Sequence, residues 1–276
     1  MVLAPTSRRP VPGGRLLAPV EAEPRPKWWI EGLVIVWLCW VYDAVSNLTP
    51  LRNTAARHHA ESILHLERAL HLDPEVALNH WLAAHPTLGL WAGNYYDNAH
   101  FVVTLGVVGW LWWRYPRSYR PLRNGLVTCN LIAFVVFWLY PTAPPRMLPG
   151  HQFVDVVSVT GAFGSAHSGT LATVANELAA MPSLHIAWAV WSAWAVFSVW
   201  RGRYGRRWWS WLVWVYPLAT TVIVLSTGNH FLADVAAGAV TAAVAIWLGA
   251  LAGRRWAAWR VVRSARVAVT TGEPRS

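Results

Sequence analysis

STGNHFLADVAAGAVTAAVAIWLGALA, residues 226–252, ends in an apolar run from Phe231 onward in which Asp234 is the single ionisable side chain. Coiled into a helix at about 1.5 Å per residue, such a run crosses the roughly 30 Å hydrocarbon core of a bilayer. The stretch therefore predicts a membrane-spanning helix. It also places His230 and Asp234, four residues apart, at the edge of that helix. A charge there is costly enough to ask for a function.

Outward from this stretch the same pattern recurs. The chain has 276 residues, 55% hydrophobic and 13% charged, and further apolar windows lie near residues 28–47, 97–113, 124–140, 183–200 and 209–226. With 231–252 they predict an all-α, polytopic bundle of six transmembrane helices spanning residues 28–253. Residues 1–27 are Pro- and Arg-rich without an apolar core, so they read as a disordered cytoplasmic tail rather than a cleaved signal, with the first helix as an uncleaved anchor. Residues 254–276 read as a basic cytoplasmic tail.

Orientation follows from the basic residues, which are retained on the cytoplasmic side of short loops. The two tails and the connections around residues 118 and 204 carry 19 of the 23 Lys and Arg residues. Both termini are therefore expected inside. Tryptophans 28, 29, 112, 113, 208, 209, 211, 256 and 259 flank these clusters, as amphipathic rings at a headgroup belt would. The net charge of +10 is parcelled among helix ends without a readout motif, which argues against nucleic acid and for anionic lipid. Cys39 and Cys129 fall inside spans, too few for a disulfide framework or a metal cluster. The 22 Arg against one Lys hint at a GC-rich prokaryote, and so at a prokaryotic plasma membrane.

Two segments remain outside, residues 48–96 and 141–182. In the first, Ala56, Ala60, Ile63, Leu66 and Leu70 recur at helical spacing, so it is expected to lie along the outer interface. Its histidines 58, 59, 65, 71, 80 and 85 read as solvated or interfacial. In the second, Arg146 stands in a Pro-rich turn, YPTAPPR, against the positive-inside bias. Further on, AAMPSLH puts Pro182 in the first turn of the next helix, with Ser183 and His185 beside its free N–H groups, a natural anion site.

Arg146, Ser183, His185, His230 and Asp234 come from separate connections, yet all fall on the extracytoplasmic side. Together they supply a cation for a phosphate, an anion-binding helix start, an imidazole with an orienting carboxylate, and a second histidine able to protonate a leaving oxygen. Gly238 and Ala242 continue the face of His230 and Asp234, so a neighbouring helix is expected to pack closely there.

AAMPSLHIAW and STGNHFLADVAAG, with YPTAPPR upstream, resemble the type 2 phosphatidic acid phosphatase superfamily over roughly residues 90–252. The similarity is to its inositolphosphotransferase branch, related to inositol phosphorylceramide synthase and sphingomyelin synthase. That resemblance implies attack by His230 on phosphorus to give a phosphohistidine, orientation by Asp234, protonation of the leaving group by His185, and no metal or other cofactor. Asn176 also matches the family pattern, and Asn94, Tyr96 and His100 in NYYDNAHF match a weaker upstream pattern that lines the site. Two superfamily signatures are missing. The nearest string to Lys-x6-Arg-Pro, Arg114 to Pro121, is one residue short and cytoplasmic, and Ile223 and Val224 stand where Ser-Arg is usual. Both departures favour the transferase-like branch and place more of the phosphate binding on Arg146.

The sequence thus reads as a membrane enzyme acting at the outer leaflet on a lipid phosphate or phospholipid, passing the phosphoryl group to water or to an alcohol or polyol acceptor. Two readings from other classes stand beside it: a non-catalytic lipid-binding membrane protein, and a haem-binding electron carrier, which would need paired histidines deep in the spans.

Overall fold

The computed structural model describes residues 25–48, 52–150, 153–161 and 177–271. Those residues form nine α-helices and no strand; Thr142 and Ala179 make one isolated parallel bridge. In chain order the helices are α1 (Trp28–Leu48), α2 (Asn53–Ala69), α3 (Pro74–Ala83), α4 (Pro86–Arg114), α5 (Pro116–Leu139), α6 (Val156–Thr160), α7 (Leu184–Tyr204), α8 (Val215–Ser226) and α9 (Leu232–Thr271). Two 3-10 segments, Pro145–Met147 and Trp208–Trp214, precede α6 and α8.

Four stretches are long and apolar enough to cross a bilayer: Trp28–Asn47, Pro116–Leu139, Trp208–Ser226 and Leu232–Gly253. This fits an integral membrane protein. The windows at 97–113 and 183–200 are also helical, in α4 and α7, but polar side chains such as Asp97, His100, His185 and Ser192 dilute their hydropathy. These are the helices that carry side chains into the candidate site.

The boundaries differ from expectation where proline starts a helix. α4 begins at Pro86, eleven residues before the apolar window, and so takes in Asn94 and Tyr96; α5 begins at Pro116. A proline at the first helical position loses no hydrogen bond, because that N–H has no intrahelical partner. Pro182 is the converse case. α7 starts at Leu184 with Ser183 as its N-cap, leaving Pro182 outside the helix.

Small residues set the close crossings. A methyl group on Gly249 of α9 would lie 3.0 Å from both the Gly125 nitrogen and the Pro121 oxygen of α5. Gly238 of α9 approaches the Ser183 carbonyl so closely that no side chain fits between them. Cys129, Ala187, Ala242 and Ala245 bury the contact among α5, α7 and α9. Without a hydrophobic driving force between helices in lipid, such backbone proximity is what holds a bundle together.

α2 lies against this bundle. Its buried face is Ala56, Ala60, Ile63, Leu64 and Glu67, packed over Ala143, Leu148, Leu178 and Phe231. Leu66 and Leu70, expected on that stripe, are exposed instead, and Glu67 takes the inward position.

Candidate active site

The turn Thr227–Phe231 between α8 and α9 carries His230. Gly228 adopts a left-handed φ of 74°, and a Cβ there would meet the Asn79 side chain and the Val154 carbonyl at 3.0 Å. Only glycine combines that dihedral with that proximity. Asn79, fully buried, closes the cage: its amide donates to Val154 O at 2.9 Å and Ser226 O at 3.0 Å and accepts from Val154 N–H at 2.8 Å.

His230 is 4% exposed. Its Nδ1 lies 3.0 Å from the Ala180 carbonyl oxygen, and 3.4 Å from Asp234 Oδ2. A carbonyl oxygen can only accept, so Nδ1 carries the hydrogen and the neutral ring keeps its lone pair on Nε2. Among the described residues no partner reaches that Nε2. The carboxylate expected to hold the imidazole thus shares the work with a backbone carbonyl. Asp234 Oδ2 also accepts the Phe231 N–H at 2.9 Å. An acid in the first turn that reaches back to the N-cap amide is half of a capping box, so Asp234 both terminates α9 and sits under His230.

The start of α7 is tied to the same turn. Ser183 N–H donates to the Asp234 carbonyl at 3.1 Å, and Ser183 Oγ accepts the Ile186 N–H at 3.5 Å. Expected as an extra donor for an anion, the Ser183 hydroxyl is instead fully buried and caps the helix. One residue beyond the helix start, His185 faces His230, with ring centroids 5.7 Å apart. Tyr96 stacks on His185 at 4.2 Å and 21°, and His100 meets it edge-on at 4.2 Å. His100 Nδ1 lies 3.0 Å from the Tyr96 carbonyl, one turn back on α4. Rings in such contact leave no gap between His100 and His185 for a porphyrin.

Arg146, expected to supply a cation for a phosphate, is held by acidic and amide partners in this structure. Its side chain is 6% exposed, and Nε donates to Asp155 Oδ2 at 3.0 Å, Nη1 to Asn229 Oδ1 at 2.8 Å and Nη2 to Glu177 Oε1 at 3.4 Å. Its backbone N–H donates to Gly228 O at 3.0 Å. A buried guanidinium needs such compensation. The arginine is thereby bound to the two residues that precede His230.

Of the residues singled out from sequence, Tyr96, His100, Ser183, His185, His230 and Asp234 come together, and Arg146 joins them through Asn229. Asn94 donates to Leu90 O along its own helix at 2.8 Å. Asn176 lies outside the described residues.

Sequence reasoning passed over Glu67 and Glu75, both buried. Glu67 Oε1 accepts the Ala233 N–H at 2.6 Å, in the first turn of α9. Burial, above all, pushes the Glu67 carboxyl up to about 8, with Glu75 and Asp234 adding to the rise; burial likewise raises Glu75. The signal was present: 56, 60, 63 and 67 continue one helical period, so Glu67 belongs to the apolar stripe.

Compared with known proteins, the chain matches a family model described as the PAP2 superfamily over residues 61–248. No curated protein and no solved structure matches it.

Proposed function

Because the chain belongs to the PAP2 superfamily, whose members act on phosphate esters, we propose that it is a lipid phosphotransferase or phosphatase working through a phosphohistidine at His230. Nε2 attacks phosphorus while the bond to the leaving alkoxide breaks, and His185 gives that oxygen its proton. Water or an alcohol then attacks the phosphohistidine, losing its proton to His185, and both histidines return to their starting states. Asp234 and the Ala180 carbonyl hold the Nδ1 hydrogen and stabilise the cationic ring. The observation that carries the reading is a buried His230 whose Nδ1 is fixed by two acceptors and whose Nε2 is left as a lone pair beside a second imidazole.

The finer reading is the inositolphosphotransferase branch, acting without a metal on a phospholipid. The missing Lys-x6-Arg-Pro and Ser-Arg strings support that branch, as does an Arg146 that comes from YPTAPPR. The same reading has six spans, both termini cytoplasmic and the site at the outer face of a prokaryotic plasma membrane; the 19 basic residues in the tails and in the connections near 118 and 204, which that arrangement puts on one side, support the orientation.

Purified protein incubated with headgroup-labelled phospholipids, with and without polyol or lipid alcohols, tests the proposal. Label released by water, as inorganic phosphate from a lipid phosphate or as headgroup phosphate from a phospholipid, marks a hydrolase, and label on the alcohol marks a transferase. Neither product, in the presence or absence of a chelator, sinks the reading.

A further inference from the structure

Glu67 and Glu75 enter the interior from two different helices, α2 and α3, and Glu75 is fully buried. Each carboxyl group bears directly on the other, and two carboxylates held together away from water are unfavourable unless one carries a proton. Among the described residues no hydrogen bond reaches Glu67 Oε2 or either Glu75 oxygen. The charged groups that bear on the pair are acids: Asp234 from α9, and Asp73 before α3, which pairs with Arg68 at 3.9 Å. A shared proton is the physical answer to two buried carboxyls with like-charged neighbours.

The other end of Glu67 points at the candidate site. Oε1 takes the Ala233 N–H at 2.6 Å, between Phe231, whose N–H is held by Asp234, and Asp234 itself. Ala233 is one of the helix-start amides that lack an intrahelical partner, and Glu67 supplies one from outside.

We propose that Glu67 and Glu75 form a proton-sharing carboxyl pair that positions the first turn of α9, and through it the Asp234 carboxylate beneath His230. The effect on turnover rests on His230 being the nucleophile; the shared proton does not. With one proton present, Glu67 is a single well-placed acceptor. With that proton lost, two anions repel each other and Asp234, and the turn shifts.

Three readouts separate these statements. In infrared spectra of the membrane-reconstituted wild type, a protonated-carboxyl stretch is expected to persist above the ordinary glutamate range and disappear near pH 8, and to be missing from Glu67→Gln/Glu75→Gln. The ring-nitrogen NMR signals of His230, assigned by their loss in His230→Gln, should shift across the same pH interval in wild type but not in Glu67→Gln. Turnover should fall over that interval in wild type and stay flat in Glu67→Gln, while Glu67→Leu should lower kcat about tenfold with KM within about twofold. No carboxyl band above the ordinary range, or His230 signals indifferent to Glu67, overturns the proposal. The band and the His230 shift without any phosphoryl turnover would uphold the positioning and defeat the phosphotransfer reading alone.

Discussion

Arg146 donates from Nη1 to Asn229 Oδ1 at 2.8 Å, and Asn229 is the residue directly before His230. The guanidinium also holds Asp155 and Glu177 through its other nitrogens, so one side chain ties two distant points of the α5–α7 connection to the turn that bears the candidate nucleophile. A lysine keeps the charge but lacks the planar fork that serves three partners at once. Arg146→Lys is therefore expected to lower kcat by about 10- to 100-fold. Asn229→Ala should do much the same, and the double variant should lose little more than either single one. Wild-type turnover in Arg146→Lys, or losses that multiply, would separate Arg146 from the His230 turn.

The Gly238 contact with the Ser183 carbonyl gives a second expectation. Any Cβ at position 238 collides with backbone, not with a side chain that can rotate away. Separating α7 from α9 there would move His185 from His230. Gly238→Ala should cost about 1–3 kcal/mol of stability and reduce turnover, whereas Gly106→Ala, where nothing lies within 4 Å, should do neither. Thermal unfolding in detergent beside a phosphate-release assay checks both.

Most of the site was legible because its residues lie at helix starts, where local sequence speaks plainly. MPSLH and NHFLAD each mark a boundary between loop and apolar run, and the two histidines belong to those boundaries. The Ala180 carbonyl was not legible, since a backbone oxygen from another loop carries no residue signature. Nor was the neutralisation of Arg146. Asp155 and Glu177 stand 9 and 31 residues beyond Arg146 with no periodic relation to it, and only the fold brings them to 3.0 and 3.4 Å. Glu67 is the opposite case: its position in the helical period is visible, but nothing local to a carboxylate on an apolar stripe announces the Ala233 N–H that it meets across the fold.

Topology gives a third expectation. In a protein whose Cys39 and Cys129 have been replaced, Val159→Cys should react with an impermeant thiol reagent added outside intact cells and Tyr204→Cys should not. Both positions are exposed on the protein itself, so the bilayer decides the outcome. Labelling of position 204 but not 159 would put the candidate site on the cytoplasmic side.

Glu67 makes stability depend on pH in a stated direction. Its carboxyl takes up protons up to about pH 8 in the folded chain but only to about 4.5 when unfolded. The folded state therefore binds more protons between those values, and stability falls as pH rises from about 4.5 to about 8 and then levels off. Melting temperature measured across this range should decline in wild type and decline less in Glu67→Gln. An unchanged slope in the variant would assign the pH dependence elsewhere.

The roles of the two histidines can be told apart chemically. If His230 Nε2 is the nucleophile, His230→Ala should abolish any acid-labile phospho-enzyme, whereas His185→Ala should slow departure of the leaving group and be partly relieved by substrates whose leaving alcohol is acidic. Asp234→Asn keeps an acceptor for the Phe231 N–H but removes the charge beneath the imidazolium. The Ala180 carbonyl still holds Nδ1–H in that variant, so the tautomer survives and the loss should lie near the lower end of about two to four orders of magnitude. A phospho-adduct mapped by mass spectrometry that persists in His230→Ala and vanishes in His185→Ala would exchange the assignments, making the histidine at the start of α7 the nucleophile and the buried one the acid.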